Sequence, residues 1–218
     1  MTIGHVLSVQ VGRIAPLGLT GQPSAFIKRP VTGPVEVAAL GIVGDEQADQ
    51  VNHGGLEKAV YAYSNEHYCA WTADFPEHAD KWVAGGVGEN LTVEGLRDAD
   101  LCVGDVHGIG SAALIVCQPR QPCNTFALRF NDKRLLRAMV RNGRAGWYYR
   151  VLRSGSLQAG DAIRLEHRPN PDFRFSRLVE IANFRNATTA ELAAMAEMPG
   201  LASNFRTAAR AAVGQEPG

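Results

Sequence analysis

The chain has 218 residues, 45% of them hydrophobic, and its 22 basic side chains are balanced by 22 acidic ones. That is enough apolar material for one good core, or for one core with a small annex. The balance excludes a general basic field for nucleic acid, and no apolar run approaches the ~20 residues of a membrane-spanning helix.

Residues 1–10 lack the basic-then-apolar pattern of a secretion signal, so a cytoplasmic location and reduced thiols are expected. Cys69, Cys102, Cys117 and Cys123 form no C-x-x-C pair, which argues against a zinc knuckle. The first three sit in apolar segments and are expected to be buried.

Residues 3–12 alternate and branch like a strand, and 13–23 form a Gly/Pro loop. Lys28 and Arg29 stand just before Pro30, and Thr32-Gly33-Pro34 reads as a turn into a strand over 35–40. Short strands with this punctuation argue for a β-rich sandwich or barrel. The loop 41–52 carries Asp45, Glu46 and Asp49, and His53-Gly54-Gly55 follows. Adjacent glycines let backbone approach a ligand, and a histidine beside them can meet an anion or relay a proton. A surface turn with an incidental histidine is equally open.

Residues 58–63 read as a strand. Ser64 is placed to cap a helix through His67, Tyr68 and Trp71, with His67 on its surface. Gly85-Gly86-Val87-Gly88-Glu89-Asn90 is a second glycine cluster. No long helix follows it, so it is not a dinucleotide fingerprint. Asn90 presents an amide to a polar ligand or closes the turn. Residues 101–106 and 112–117 read as a hairpin around His107-Gly108-Ile109-Gly110.

The apolar run 112–117 delivers the chain into Gln-Pro-Arg-Gln-Pro-Cys-Asn-Thr-Phe at 118–126. Pro119 and Pro122 fix φ and remove two donors, so the strand must end there. Cys123 follows on a stiff corner, with Asn124 and Thr125 as candidate helix caps. Arg120 is close in sequence, and a nearby cation lowers a thiol pKa, giving the thiolate that attacks or binds metal. The alternative is a small buried hydrophobe. Residues 128–142 read as one helix carrying Arg129, Lys133, Arg134, Arg137 and Arg141, a solvated face or a surface for an acidic partner.

Strands are expected at 146–151 and 163–167. Pro169-Asn170-Pro171 then divides the chain into 1–168 and 169–218. Beyond it, 175–184, 189–197 and 201–213 read as three amphipathic helices. Thr188 or Thr189 caps the second, with Glu191 in its first turn, and Pro199-Gly200 stops it. Asp172, Glu180, Glu191, Glu197 and Glu216 match the arginines here, which argues against a DNA reader.

Three pieces now stand in order: His53-Gly54-Gly55-x-x-Lys58-Ala59-Val60-Tyr61, Gly88-Glu89-Asn90-Leu91, and Pro122-Cys123 after an apolar strand. Together they resemble the MOSC family, the C-terminal domains of molybdenum-cofactor sulfurases and their relatives, and most closely its YiiM subgroup. The resemblance implies a fold that is mainly β with α: a MOSC-type β-barrel over 1–168 and a small three-helix domain over 169–218. It also implies the molybdenum cofactor (Mo-molybdopterin), with Cys123 as the protein ligand of the metal. His53 and Asn90 match positions lining the family's pocket. Lys28, Arg29, Gly54, Gly55 and Arg120 are candidates for holding the pterin phosphate. Similar proteins reduce N-hydroxylated compounds, N-hydroxylaminopurines among them, to amines with electrons from a flavin or iron–sulfur reductase. His53 is the expected proton source. The family's sulfurase branch implies an alternative, a sulfur carrier holding a persulfide on Cys123.

Overall fold

The computed structural model describes residues 1–50 and 53–214. Val51 and Asn52, the end of the acidic loop, and the tail with Glu216 lie outside the described residues. In chain order the elements begin with β1 (Thr2–Gly12), β2 (Ala15–Leu17), β3 (Gln22–Ser24), β4 (Lys28–Pro30), β5 (Val35–Ala38) and β6 (Gly41–Ile42). A short turn of 3-10 helix, Leu56–Lys58, leads into β7 (Val60–Ser64), α1 (Glu66–Asp74) and β8 (Leu91–Glu94). Next come β9 (Val106–Ile109), β10 (Ala112–Pro119), α2 (Asn124–Phe130), α3 (Arg134–Asn142), β11 (Trp147–Arg153), β12 (Gly155–Leu157) and β13 (Ala162–His167). Three helices finish the described chain: α4 (Phe175–Phe184), α5 (Thr189–Glu197) and α6 (Ser203–Val213).

Seven strands close into a barrel in the order β13-β9-β10-β11-β7-β8-β1, with β1 returning to β13 through the pairs Thr2↔Arg164, Gly4↔Ile163 and His5↔Ala162. Closure removes both sheet edges. Every pairing in the ring is antiparallel except β7 with β8, which run parallel because α1 crosses between them. Alternation along the strands sends Val6, Val9, Val60, Leu91, Leu114, Trp147 and Ile163 into the barrel core. The last three helices close over this barrel: Phe175, Leu178, Met195, Leu201 and Ala209 belong to the same apolar cluster. A second cluster, rich in aromatic rings, lies between the barrel wall and α1 to α3, with Trp71, Trp82, Phe126 and Phe130 at its centre.

Thr188 caps α5 as its sequence requires. Its hydroxyl accepts the Glu191 amide, and the Glu191 carboxylate accepts the Thr188 amide. Five local expectations are corrected. Residues 101–105 do not extend the hairpin strand, because the Asp105 carboxylate folds back to accept the Cys102 amide, and β9 starts at Val106. His107 therefore lies within β9, fully buried, and the hairpin turns at Gly110 and Ser111. The basic helix is two helices, broken where Asn131 takes a left-handed φ of 53°. The N-cap of α1 is Asn65 rather than Ser64. Cys69 is exposed, whereas Cys102 and Cys117 are buried.

Candidate functional site

The corner after β10 forms as its prolines dictate. The strand ends at Pro119, and Arg120 is tied back by donating its amide to Gly146 at 3.3 Å. Cys123 is extended (φ −133°, ψ 161°) and is itself the N-cap of α2, with no side-chain capping bond. Its carbonyl accepts the Phe126 amide at 3.0 Å, while its half-buried sulfur faces a cavity of about 120 Å³. Lys28, His53, Lys58, Asn90 and Arg120 line the same cavity, with Phe26, Tyr61 and Tyr148 as aromatic walls. Gly88, at φ 86°, brings the glycine turn against the Phe26 ring, where a Cβ would stand 3.0 Å from two ring carbons.

Arg120 is the electrostatic centre. It is 5% exposed, and its guanidinium sits over the rings of Phe26, Tyr61 and Phe126 at 5.3–5.6 Å. Its Nη2 donates toward Cys123 Sγ at 3.7 Å, and Nη1 toward Met139 Sδ at 3.6 Å. Among the described residues no carboxylate pairs with it. Burial alone would raise the Cys123 thiol. The charge of Arg120, a hydrogen bond with His53 and the Phe126 amide outweigh it and bring the pKa down to about 6. His53 moves the opposite way. Its bond to Cys123 raises its pKa first, against the cost of burial, and Asp49 at 3.2 Å supports the charged form. At neutral pH the sulfur is mainly thiolate, beside an imidazole whose pKa that sulfur raises.

The other predicted residues divide. Lys28 lines the cavity but is not free to hold phosphate, because its ammonium pairs with Asp45 at 2.5 Å with both side chains nearly buried. Burial lowers its pKa and Asp45 opposes that. Asp45 also accepts the Gly12 amide and the Asn90 side-chain amide. Asn90 spends its own oxygen on the Tyr61 amide, so it pins the barrel end rather than presenting a free group. Arg29 is exposed on β4, away from the cavity lining, and Gly54 and Gly55 do not line it either. Lys58, which appeared in the motif but not among the candidates, lines the cavity and has no ion pair among the described residues. Glu89 is fully buried and holds the glycine turn by accepting the Gly85 and Val87 amides, with Tyr68 and Thr92 donating to it. Its Gly-Glu-Asn spelling could have flagged that role, since a carboxylate after a glycine turn readily accepts the turn's amides.

One further cluster among the described residues has metal-ligand spacing, Glu77, His78 and Asp132. Arg134 pairs with both carboxylates, so a guanidinium already supplies the positive charge there. Among the described residues no helix is long and apolar enough to cross a membrane.

Residues 49–164 match the model of the MOSC domain. A protein named Reductase from Gibberella moniliformis is 38% identical over 198 residues, covering 90% of this chain and 35% of that protein. The chain thus spans about a third of the length of that fungal relative. Protein YiiM from Escherichia coli is 34% identical over 185 residues, covering 78% of this chain and 83% of YiiM. The crystal structure of YiiM from Geobacillus stearothermophilus superposes with a TM-score of 0.81 at 28% identity, over 96% of this chain and 99% of that one. The matched region and the likeness to YiiM in sequence and fold show that the chain belongs to the MOSC family.

Proposed function

We propose that the chain is a molybdenum-cofactor oxidoreductase that reduces N-hydroxylated small molecules, such as N-hydroxylaminopurines, to amines. Electrons come from a flavin or iron–sulfur reductase. The observation that carries this reading is a half-buried cysteine kept as thiolate by a buried arginine that pairs with no carboxylate among the described residues.

The donor set fits the cofactor. Cys123 offers one soft, anionic sulfur at the cavity, which suits a metal already held by a dithiolene. Lys58 offers a cation with no ion pair among the described residues, suited to a phosphate, and Phe26, Tyr61 and Tyr148 offer flat apolar surface for a ring system. When bound, the cofactor supplies the two-electron redox chemistry. The net change breaks the N–O bond, consumes two electrons and two protons, and releases amine and water.

The chain's own residues do the rest. Arg120 holds the sulfur in its ionised form and, boxed by three rings, cannot swing away to follow another anion. His53, whose pKa is raised by its bond to Cys123, stands at the cavity and delivers a proton to the substrate's N–O group. The Lys28–Asp45–Asn90 network fixes the ends of β1, β4 and β8 that form the opposite wall.

Metal analysis tests the reading. Protein made in cells with an intact cofactor pathway should carry near-stoichiometric molybdenum and reduce N-hydroxylaminopurine with a reduced viologen as donor. Cys123→Ser should lose most of the metal. Equal molybdenum in both proteins refutes the assignment.

A further inference from the structure

The short turn Leu56–Lys58 links His53 to β7, and His53 and Lys58, at either end of this stretch, line the cavity. Glu57, beside Lys58, does not line it and is bound through both its backbone and its side chain. Its carbonyl accepts the Cys117 thiol at 3.0 Å and the Gln118 side-chain amide at 2.9 Å. Both donors lie on β10, the strand that carries Arg120 and Cys123 to the cavity. Its carboxylate accepts the Ser203 amide with both oxygens at 2.9 Å and the Ser203 hydroxyl at 2.6 Å, while Arg150 of β11 approaches at 3.5 Å. Ser203 opens α6, and the residue before it, Ala202, donates its amide to the Cys117 carbonyl at 3.0 Å. One glutamate therefore joins three parts of the chain that are far apart in sequence.

A carboxylate accepting a helix's first amide and hydroxyl is among the stronger polar contacts a chain can make. A barrel loop needs no such partner merely to turn. We propose that Glu57 is a positioning residue: with Ser203 it forms a clasp through which the C-terminal helices hold the His53–Lys58 loop in register with Cys123. This rests on the reading of that cavity as the reaction site. It also gives the last helices a task at the cavity although no residue of theirs lines it.

The test uses full-length, metal-free protein first. Hydrogen exchange in residues 53–59 should quicken roughly tenfold in Glu57→Gln, with β9 and β13 unchanged. Ser203→Ala should follow in the same direction, and Ser203→Thr, which keeps the hydroxyl, should exchange like the wild type. In cofactor-loaded protein, Glu57→Gln should keep its molybdenum yet lose kcat more than KM. Unchanged exchange in 53–59, or an equal rise across the whole barrel, overturns the clasp. Faster exchange confined to that loop supports it even if the wild type proves unable to reduce N-hydroxylaminopurine, an outcome that would overturn only the proposed reaction.

Discussion

Cys117 and Cys123 stand six residues apart on one strand and the corner that ends it, and their sulfurs behave in opposite ways. Cys117 is fully buried on β10, donates to the carbonyls of Glu57 and Tyr148, and burial pushes its thiol up to about 12. Cys123 is half-buried, and burial works against its charge too, yet its pKa falls to about 6. Desolvation raises both thiols and so does not account for the opposite directions. What differs is the balance of the company: around Cys117 the cations Arg150 and Lys58 do not offset burial and the Glu57 charge, whereas around Cys123 the Arg120 guanidinium and the His53 imidazole do. The corner, by ending the strand, takes a sulfur from direct bonds to strand carbonyls to a direct contact with a buried guanidinium.

The contrast can be broken at several points. The largest effect is expected from His53→Ala, which should keep molybdenum but slow reduction by ~10²–10⁴-fold, the usual worth of a general acid, measured by single-turnover kinetics. An unchanged rate would leave the proton to another source. Next comes Arg120→Met in metal-free protein. A thiol returned to its ordinary pKa of ~8.5 is only a few per cent ionised at pH 7, so alkylation of Cys123 by iodoacetamide should slow roughly thirty-fold. If the rate holds, His53 and the Phe126 amide alone maintain the thiolate.

A smaller effect concerns stability. The folded pKa of Cys123, about 6, lies below the ~8.5 of an unfolded thiol. Its contribution is therefore complete above pH ~8.5 and is lost as the pH falls through about 6. The stability of wild type relative to Cys123→Ser, followed by urea unfolding, should shrink across that window, and a gap that widens toward acid would reverse the sign argued here. The smallest effect belongs to Cys117→Ala, which should cost on the order of 1 kcal/mol through a small cavity and leave Cys123 alkylation unchanged.

Much of the barrel was legible because its signals are local. Alternation over β1, the apolar run of β10 and the Pro119–Pro122 corner each act within a few residues. The Thr188–Glu191 capping box was equally readable. The cavity lining was legible where its residues follow from the motif, as with Cys123, His53 and Asn90, or stand close to Cys123 in sequence, as Arg120 does. Lys28 was misjudged because the carboxylate that consumes its charge, Asp45, arrives from seventeen positions away once β4 docks on β1. Nothing in the order of residues announces that Phe26, Tyr61 and Phe126 will box Arg120, since each ring comes from a different segment. The basic helix split at Asn131 because a left-handed residue ends α2 where the charge pattern runs on unbroken.

The seam between β1 and β13 carries a consequence for how this protein is born. Thr2 finds its partner at Arg164, so β1, once made, waits for a strand more than a hundred residues later before the ring can shut. Contacts of such long sequence separation make folding slow, in the range of milliseconds to seconds. Until then β1 has an unpaired border open to other nascent chains, the kind of exposed strand edge that makes a folding intermediate prone to aggregate.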